Sequence, residues 1–281
     1  MTLHYSLDEV VPYINWTYFF HAWGMTAQPQ TDCDQLKAEA CLRLRQHASH
    51  YHTHALFTLY NAHSDGDDIV VEQTADSDGL ARSTSIPCLR QQQQGTEHLC
   101  LADYIAPKTD TAATPHPTPY TQIGLFATTA DSGMEHDFDD DPYEKMMMQL
   151  LADRLAEATA ERLHEQVRKQ YWGYARGEIL AMDDMLCERW QGLRPAVGYP
   201  SLPDTSINFI LDRLLDYSQI GISLTESGAM RPHASVSGLM IAHPEARYFT
   251  VGKIGQDQLH DYARRRGFST EKARKFLSAN L

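Results

Sequence analysis

The stretch "GLRPAVGYPSLPD", residues 192–204, sets one arginine and one tyrosine, Arg194 and Tyr199, among three prolines and two glycines. That density excludes a helix or a central strand, so the segment is a stiffened loop. A guanidinium carries donors in a rigid fork that matches a carboxylate bidentately. Pro195 fixes the backbone beside Arg194, Ala196 and Gly198 let a molecule approach the main chain closely, and Tyr199 offers a flat face to a purine or a cation. The chemistry is recognition of a molecule that combines a carboxylate, an aromatic base and a cationic centre. A structural loop with a single surface ion pair is the competing reading.

Other catalytic patterns are missing. No G-x-G-x-x-G follows a strand, and there is no Walker A, G-x-S-x-G or H-E-x-x-H pattern. The Asp-x-His-x-x-Gly pattern by which corrinoid domains ligate cobalt is missing too. The histidines at 47, 50, 52 and 54 ("HASHYHTH") invite a metal, but no carboxylate or cysteine completes a shell locally. They read instead as a polar cluster at a helix end.

The elements that must position the loop are best marked by residues 142–174. Asp141 caps, Pro142 takes the first position, and Glu144 gives capping-box-like spacing. Met147, Leu150, Leu151, Leu155, Ala158, Leu163 and Val167 then form one apolar stripe of a long central helix. Before it, residues 1–30 form an aromatic-rich arm expected to dock on the core, and 32–52 a helix. Residues 55–73 read as strand, Asp65-Gly66 turn and strand. Residues 100–107 and 122–130 read as two further strands flanking a Pro/Thr-rich loop, and 135–141 as a solvated acidic run. Helices follow at 205–217 and 256–266, and strands at 221–227, 235–242 and 247–254. Helices and strands come in blocks without βαβ alternation. The expected class is α+β, a single domain over residues 1–281 with an antiparallel sheet.

A net charge of -13 argues against nucleic acid and against an anionic membrane as partner. No apolar run approaches the roughly 20 residues of a spanning helix. Five scattered cysteines without a C-x-x-C read as reduced thiols of a cytoplasmic protein, and the N-terminus lacks a secretory pattern.

One molecule that carries a carboxylate, an adenine and a cationic centre is S-adenosylmethionine. "RPAVGYP" resembles the loop of the activation (reactivation) domain of cobalamin-dependent methionine synthase. "INWTYFF", "LRQQ" (89–92), "CLADYIAPK" (100–108), "LADRLAEATAERLHEQVRKQYWGYA" (151–175), "LTESGAMRPHASVSG" (224–238), "HPEARYFTVGKIGQDQLHDYARRRG" (243–267) and "FLSANL" resemble that family in the same order. The resemblance implies a C-shaped fold with a twisted antiparallel sheet and a cleft for S-adenosylmethionine. It implies that Arg194 grips the methionine carboxylate, that Ala196, Gly198 and Tyr199 line the site, and that Tyr248 and Phe249 pack on the ligand. Glu157 is implied to face the ligand's positive end. The family has Asp in its "DWTxFF" arm where this chain has Asn15, so a contact expected there is weaker or rearranged. Leu239 and Met240 replace aromatics after "SVSG", with an expected effect on the surface that meets the corrinoid.

By the same resemblance, the sulfonium methyl passes to inactive Co(II) cobalamin while a flavodoxin-type reductant supplies one electron, leaving methylcobalamin and S-adenosylhomocysteine. The cobalamin is expected on a partner, the cobalamin-binding module of methionine synthase or another corrinoid protein. A chain that begins at its own Met and contains no corrinoid module is expected to act in trans. The alternatives are a piece of a larger enzyme, a docking subunit that binds the ligand without turnover, and a fold reused for something unrelated to cobalamin.

Overall fold

The computed structural model describes residues 1–73, 82–95, 97–108 and 119–281. Six strands form one antiparallel sheet: β1 (Thr2–Ser6), β2 (His52–Asp65), β3 (Asp68–Gln73), β4 (Arg82–Pro87), β5 (Gln122–Ala130) and, as β8, Ser235–Met240. A small separate ribbon pairs β6 (Ser223–Leu224) with β7 (Met230–Arg231). The order is β4-β3-β2-β5-β8, and β1 shares the outer edge of the long β2 with β3. The Asp65-Gly66 hairpin falls where the sequence places it. The first part of the aromatic arm is itself sheet: Leu3 pairs with Ala55 and His4 with His54.

The helices are α1 (Leu7–Val10), α2 (Trp16–Ala22), α3 (Gln30–His47), α4 (Gly133–His136), α5 (Pro142–Gln166), α6 (Met182–Leu186), α7 (Asn208–Leu215), α8 (Gln256–Arg266) and α9 (Thr270–Phe276). Side-chain alternation along the central strand β5 builds two cores. Phe126 joins Phe57 and Leu155 on the face covered by α5, while Leu125 and Ala127 join Leu211 and Ile207 on the face covered by α7. Apolar burial on both faces explains why β5 reads as a nearly continuous hydrophobic run. A third cluster, with Leu259, Tyr262 and Leu277, gathers under α8 and α9.

The long helix starts as expected: the Asp141 carboxylate accepts from the N–H groups of Tyr143 and Glu144, at 2.9 and 3.2 Å. Glu144, however, turns outward to Arg43 of α3, whose Nε donates to it at 2.7 Å, so it clips two helices together. As an α-helix it ends at Gln166, where a π-turn over Val167–Tyr171 replaces the expected continuation to 174.

Three expected strands are corrected. Residues 100–107 form a 3₁₀ turn, Leu101–Tyr104, because the Asp103 carboxylate accepts from the backbone N–H of Cys100 at 2.8 Å and closes the chain locally. Residues 247–254 are extended but make no ladder among the described residues. Their bonds run singly to other segments, Val251 N–H to the Pro200 carbonyl at 2.9 Å and the Thr250 carbonyl to the Gln91 amide at 2.9 Å. In the 221–227 segment only Ser223–Leu224 is strand. The 205–217 helix divides into a 3₁₀ turn (Thr205–Ile207) and α7, and the expected 32–52 helix ends at His47. The Pro/Thr-rich loop lies mostly outside the described residues.

Candidate functional site

The prolines and glycines of 192–204 turn out to lay the loop against the free edge of β8. Leu193 and Ile241 exchange two hydrogen bonds at 2.8 Å, Leu239 N–H donates to the Pro195 carbonyl at 3.0 Å, and Val197 N–H to the Ser237 carbonyl at 2.9 Å. Gly238 makes this approach possible: a Cβ there would stand 2.2 Å from the Pro195 carbonyl oxygen. Gly198, at φ +88°, then reverses the chain so that Leu202 N–H reaches the Tyr199 carbonyl at 2.9 Å. Beyond the turn, buried Asp204 anchors the exit. It accepts from Ser206 N–H at 2.8 Å and from the Tyr262 hydroxyl of α8 at 2.7 Å. The loop is thus tied to the sheet at one end and to α8 at the other.

Between this loop, α5 and the 248–250 segment lies a cavity of about 610 Å³. Helix α5 offers it Arg154, Glu157 and Glu161, spaced by three and four residues on one helix face. The loop contributes Arg194, Ala196 and Tyr199; Tyr248, Phe249, Tyr18 and Glu188 complete much of the wall. A side chamber of about 60 Å³ shares Glu157, Glu161 and Glu188 with it and is lined by Asn15.

The charges are paired with care. Arg194 is 9% exposed; its Nη2 donates to Glu161, and its guanidinium lies 5.8 Å from the Phe126 ring centre. The Glu161 Oε2 and the Arg194 Nε are both buried without a hydrogen-bond partner among the described residues. Burial raises the Glu161 carboxyl above its ordinary range, against the pull of Arg194. Burial also opposes the Arg194 charge, yet the surrounding groups, Glu161 first, hold its pKa above the usual guanidinium value. Arg154 Nη1 donates to Glu157 at 2.9 Å, and the Tyr199 hydroxyl donates to the same carboxylate at 3.1 Å. Glu188, in the left-handed region at φ +59°, has its carboxyl raised by burial and then by Glu161. Burial pushes the Tyr199 and Tyr248 hydroxyls up to about 12, so both remain proton donors. Tyr248 donates to the Arg194 carbonyl at 3.1 Å. Three carboxylates face two guanidinium groups, an arrangement suited to a cation that also carries a carboxylate.

The structure therefore brings Arg194, Ala196, Tyr199, Tyr248, Phe249 and Glu157 to one cavity. Gly198 serves through its turn, and Asn15 stands in the side chamber, where its Oδ1 accepts from Thr17 N–H at 3.1 Å as the cap of α2. Sequence reasoning missed Glu161, Glu188, Arg154 and Tyr18. Glu161 was within reach, four residues beyond Glu157 on the same face; Glu188 carries no local signal. The histidine run divides between the end of α3 and β2. His54 Nε2 lies 2.7 Å from Asp131 and its Nδ1 2.7 Å from His4 Nδ1. Among the described residues no group of three or more His, Cys, Asp or Glu side chains is placed to hold a metal ion. Nor is any helix among them long and apolar enough to cross a membrane.

The family model of the vitamin B12 dependent methionine synthase activation domain matches residues 6–267. The chain belongs to that activation-domain family. It is similar to the crystal structure of the MetH reactivation domain bound to AdoHcy, at 35% sequence identity and a TM-score of 0.88, covering 100% of this chain and 90% of that one. The mixed α+β architecture is thus that of methionine synthase activation domains. Within this frame the expectation for Leu239 and Met240 is corrected: both are fully buried, one in each core, so they alter packing and present no surface to a corrinoid.

Proposed function

We propose that this activation-domain chain binds S-adenosylmethionine in the cavity between α5 and the Arg194 loop and supports reductive methylation of cobalamin. The cobalamin is carried by a partner, the binding module of methionine synthase or another corrinoid protein, toward which the chain acts in trans. The observation that carries this reading is the convergence on one cavity of a buried guanidinium, three carboxylates and three tyrosines. The AdoHcy in the similar reactivation domain supports it. The donor set fits a sulfonium amino acid: the unpartnered Arg194 Nε suits a carboxylate, and the acidic wall suits the sulfonium and ammonium groups.

On this reading the residues bind and orient; none acts as nucleophile or base. Arg194 fixes the carboxylate, the tyrosine rings border the nucleoside, and Glu157 and Glu188 favour the sulfonium by charge. The cavity opens to solvent at Tyr18, Tyr199 and Tyr248, each more than a third exposed, on the side where a partner can approach. With partner-held Co(II) cobalamin as acceptor and one electron from a flavodoxin-type reductant, the S–CH₃ bond breaks, a Co–C bond forms and S-adenosylhomocysteine is left. The chain contributes proximity and alignment.

The test mixes the chain with a Co(II) corrinoid protein, S-adenosylmethionine and a flavodoxin reducing system, and follows the visible spectrum. Methylcobalamin should form only when all components are present. S-Adenosylmethionine binding by calorimetry without methylation would instead support the docking-subunit reading.

A further inference from the structure

Glu161 stands half-buried in the cavity wall with its Oε2 atom fully buried, and the acidic wall as a whole gives it no separate role. It touches Arg194 through one oxygen only, and its Oε2 and the Arg194 Nε are left without partners among the described residues. Two such orphaned groups, an acceptor on the carboxylate and a donor on the guanidinium, are costly to bury. They are also complementary to the two ends of an α-amino acid, whose carboxylate and ammonium sit on adjacent carbons. The other acceptors near the cavity are less suited. Glu157 is already engaged by Arg154 and by the Tyr199 hydroxyl. The Asn15 Oδ1 is spent on the N-terminus of α2. Glu188 makes no ion pair with Arg194, whose salt bridge goes to Glu161.

We propose that Arg194 and Glu161 act together as a receptor for the free α-amino-acid end of the ligand, with Glu161 the residue that demands the ammonium group. This rests on the reading that the cavity takes S-adenosylmethionine, and it adds a specificity to it. The ligand carboxylate binds Arg194, and its ammonium then falls beside the carboxylate already in contact with that arginine. The four charges alternate, so Glu161 need not be displaced. A ligand with the nucleoside and the carboxylate but no amino group would bring a second anion to a pair that holds one already.

The test compares S-adenosylhomocysteine with its deamino analogue, which keeps the thioether, nucleoside and carboxylate, by calorimetry on the wild-type chain. S-Adenosylhomocysteine should bind roughly 10-fold or more tightly than the analogue, the size of one charge-assisted hydrogen bond. Glu161→Gln should bring the two ligands to within about threefold of each other, whereas Glu188→Gln should retain the preference. Equal affinities on the wild-type chain overturn the proposal and leave the binding site standing. Loss of the preference in Glu188→Gln rather than Glu161→Gln overturns the assignment to Glu161. Failure of S-adenosylhomocysteine to bind the wild-type chain at all overturns the underlying reading. If Glu161→Gln does not fold, the wild-type comparison still tests the demand for the amino group, and loss of the preference in Glu188→Gln would still overturn the assignment to Glu161.

Discussion

Two pairs that join a buried arginine to a half-buried glutamate flank the C-terminal half of α5, and they are built differently. Arg168 of the π-turn meets Glu178 through three hydrogen bonds of 2.6 to 3.1 Å that engage both carboxylate oxygens. Its guanidinium also stacks 4.9 Å from the centre of the Trp190 ring, pinning the 173–190 connection to the helix. Arg194 meets Glu161 through one contact, with an oxygen and a nitrogen unused. Each arginine keeps one buried nitrogen without a partner among the described residues, Arg168 Nη1 and Arg194 Nε, so the difference lies in the carboxylates. Glu178 has both oxygens engaged and does not line the cavity, whereas Glu161 keeps one oxygen free and lines it. A carboxylate filled by its arginine holds structure, and one with a free oxygen has capacity left for a ligand.

The sharpest way to break this comparison is to delete one partner from each pair. Glu178→Ala leaves Arg168, fully buried, without its counter-ion, and a guanidinium cannot shed its proton to escape. The expected loss is about 3–5 kcal/mol of folding stability, read from chemical denaturation. Arg194→Ala leaves Glu161 instead, whose carboxyl is already raised by burial and can take up a proton. Its stability loss should therefore be clearly smaller than that of Glu178→Ala. Its effect falls on binding, with affinity for S-adenosylmethionine lowered roughly 10- to 150-fold by loss of a charge-assisted contact. Equal stability losses would remove the distinction between the pairs, and unchanged affinity would remove Arg194 from the site.

A pH series sharpens the same contrast. Because the folded-state pKa of Glu161 is raised, the folded chain binds more protons than the unfolded one between the ordinary carboxylate value and the raised one. Its contribution to stability thus declines as pH rises through that window. Glu161→Gln should flatten the fall in denaturation midpoint over mildly acidic pH. A slope identical to wild type would mean that Glu161 does not titrate there.

What could be read beforehand divides along the same line. The loop around Arg194 was legible because proline and glycine density declares a loop, and its arginine and tyrosine do line one cavity. Helix α5 was legible from its cap and its apolar stripe. The acids that complete the cavity were harder to read: Glu161 reads as one more charge on an amphipathic helix unless its spacing from Glu157 is followed, and Glu188 depends on a left-handed backbone. The Arg168–Glu178 pair spans a π-turn that no periodicity announces. The 247–254 segment alternates like a strand, but no neighbouring strand among the described residues supplies it with a ladder. Helix α9, begun by the Ser269 side chain accepting from Lys272 N–H at 3.2 Å, was overlooked because its charged residues outnumber its apolar ones.

The smallest effect expected is at Asn15, and it separates the ligand's charges. Asn15→Asp keeps the cap on Thr17 N–H, since either side chain offers an acceptor to the first turn of α2. It also adds a fourth carboxylate near Glu157, Glu161 and Glu188 in the side chamber. Before ligand binds, that addition is repulsive, so Asn15→Asp should leave folding stability unchanged or slightly lower. A cationic ligand relieves the repulsion as it enters, which adds to its direct attraction. Half-burial and an open cavity screen both terms, leaving about 1 kcal/mol, or roughly 5-fold tighter S-adenosylmethionine. S-Adenosylhomocysteine has no sulfonium charge and should gain less. Calorimetry of both ligands against both chains decides the matter: an equal gain for the two would place the introduced carboxylate at the amino-acid end, and a weaker S-adenosylmethionine complex would show that the three existing acids already suffice.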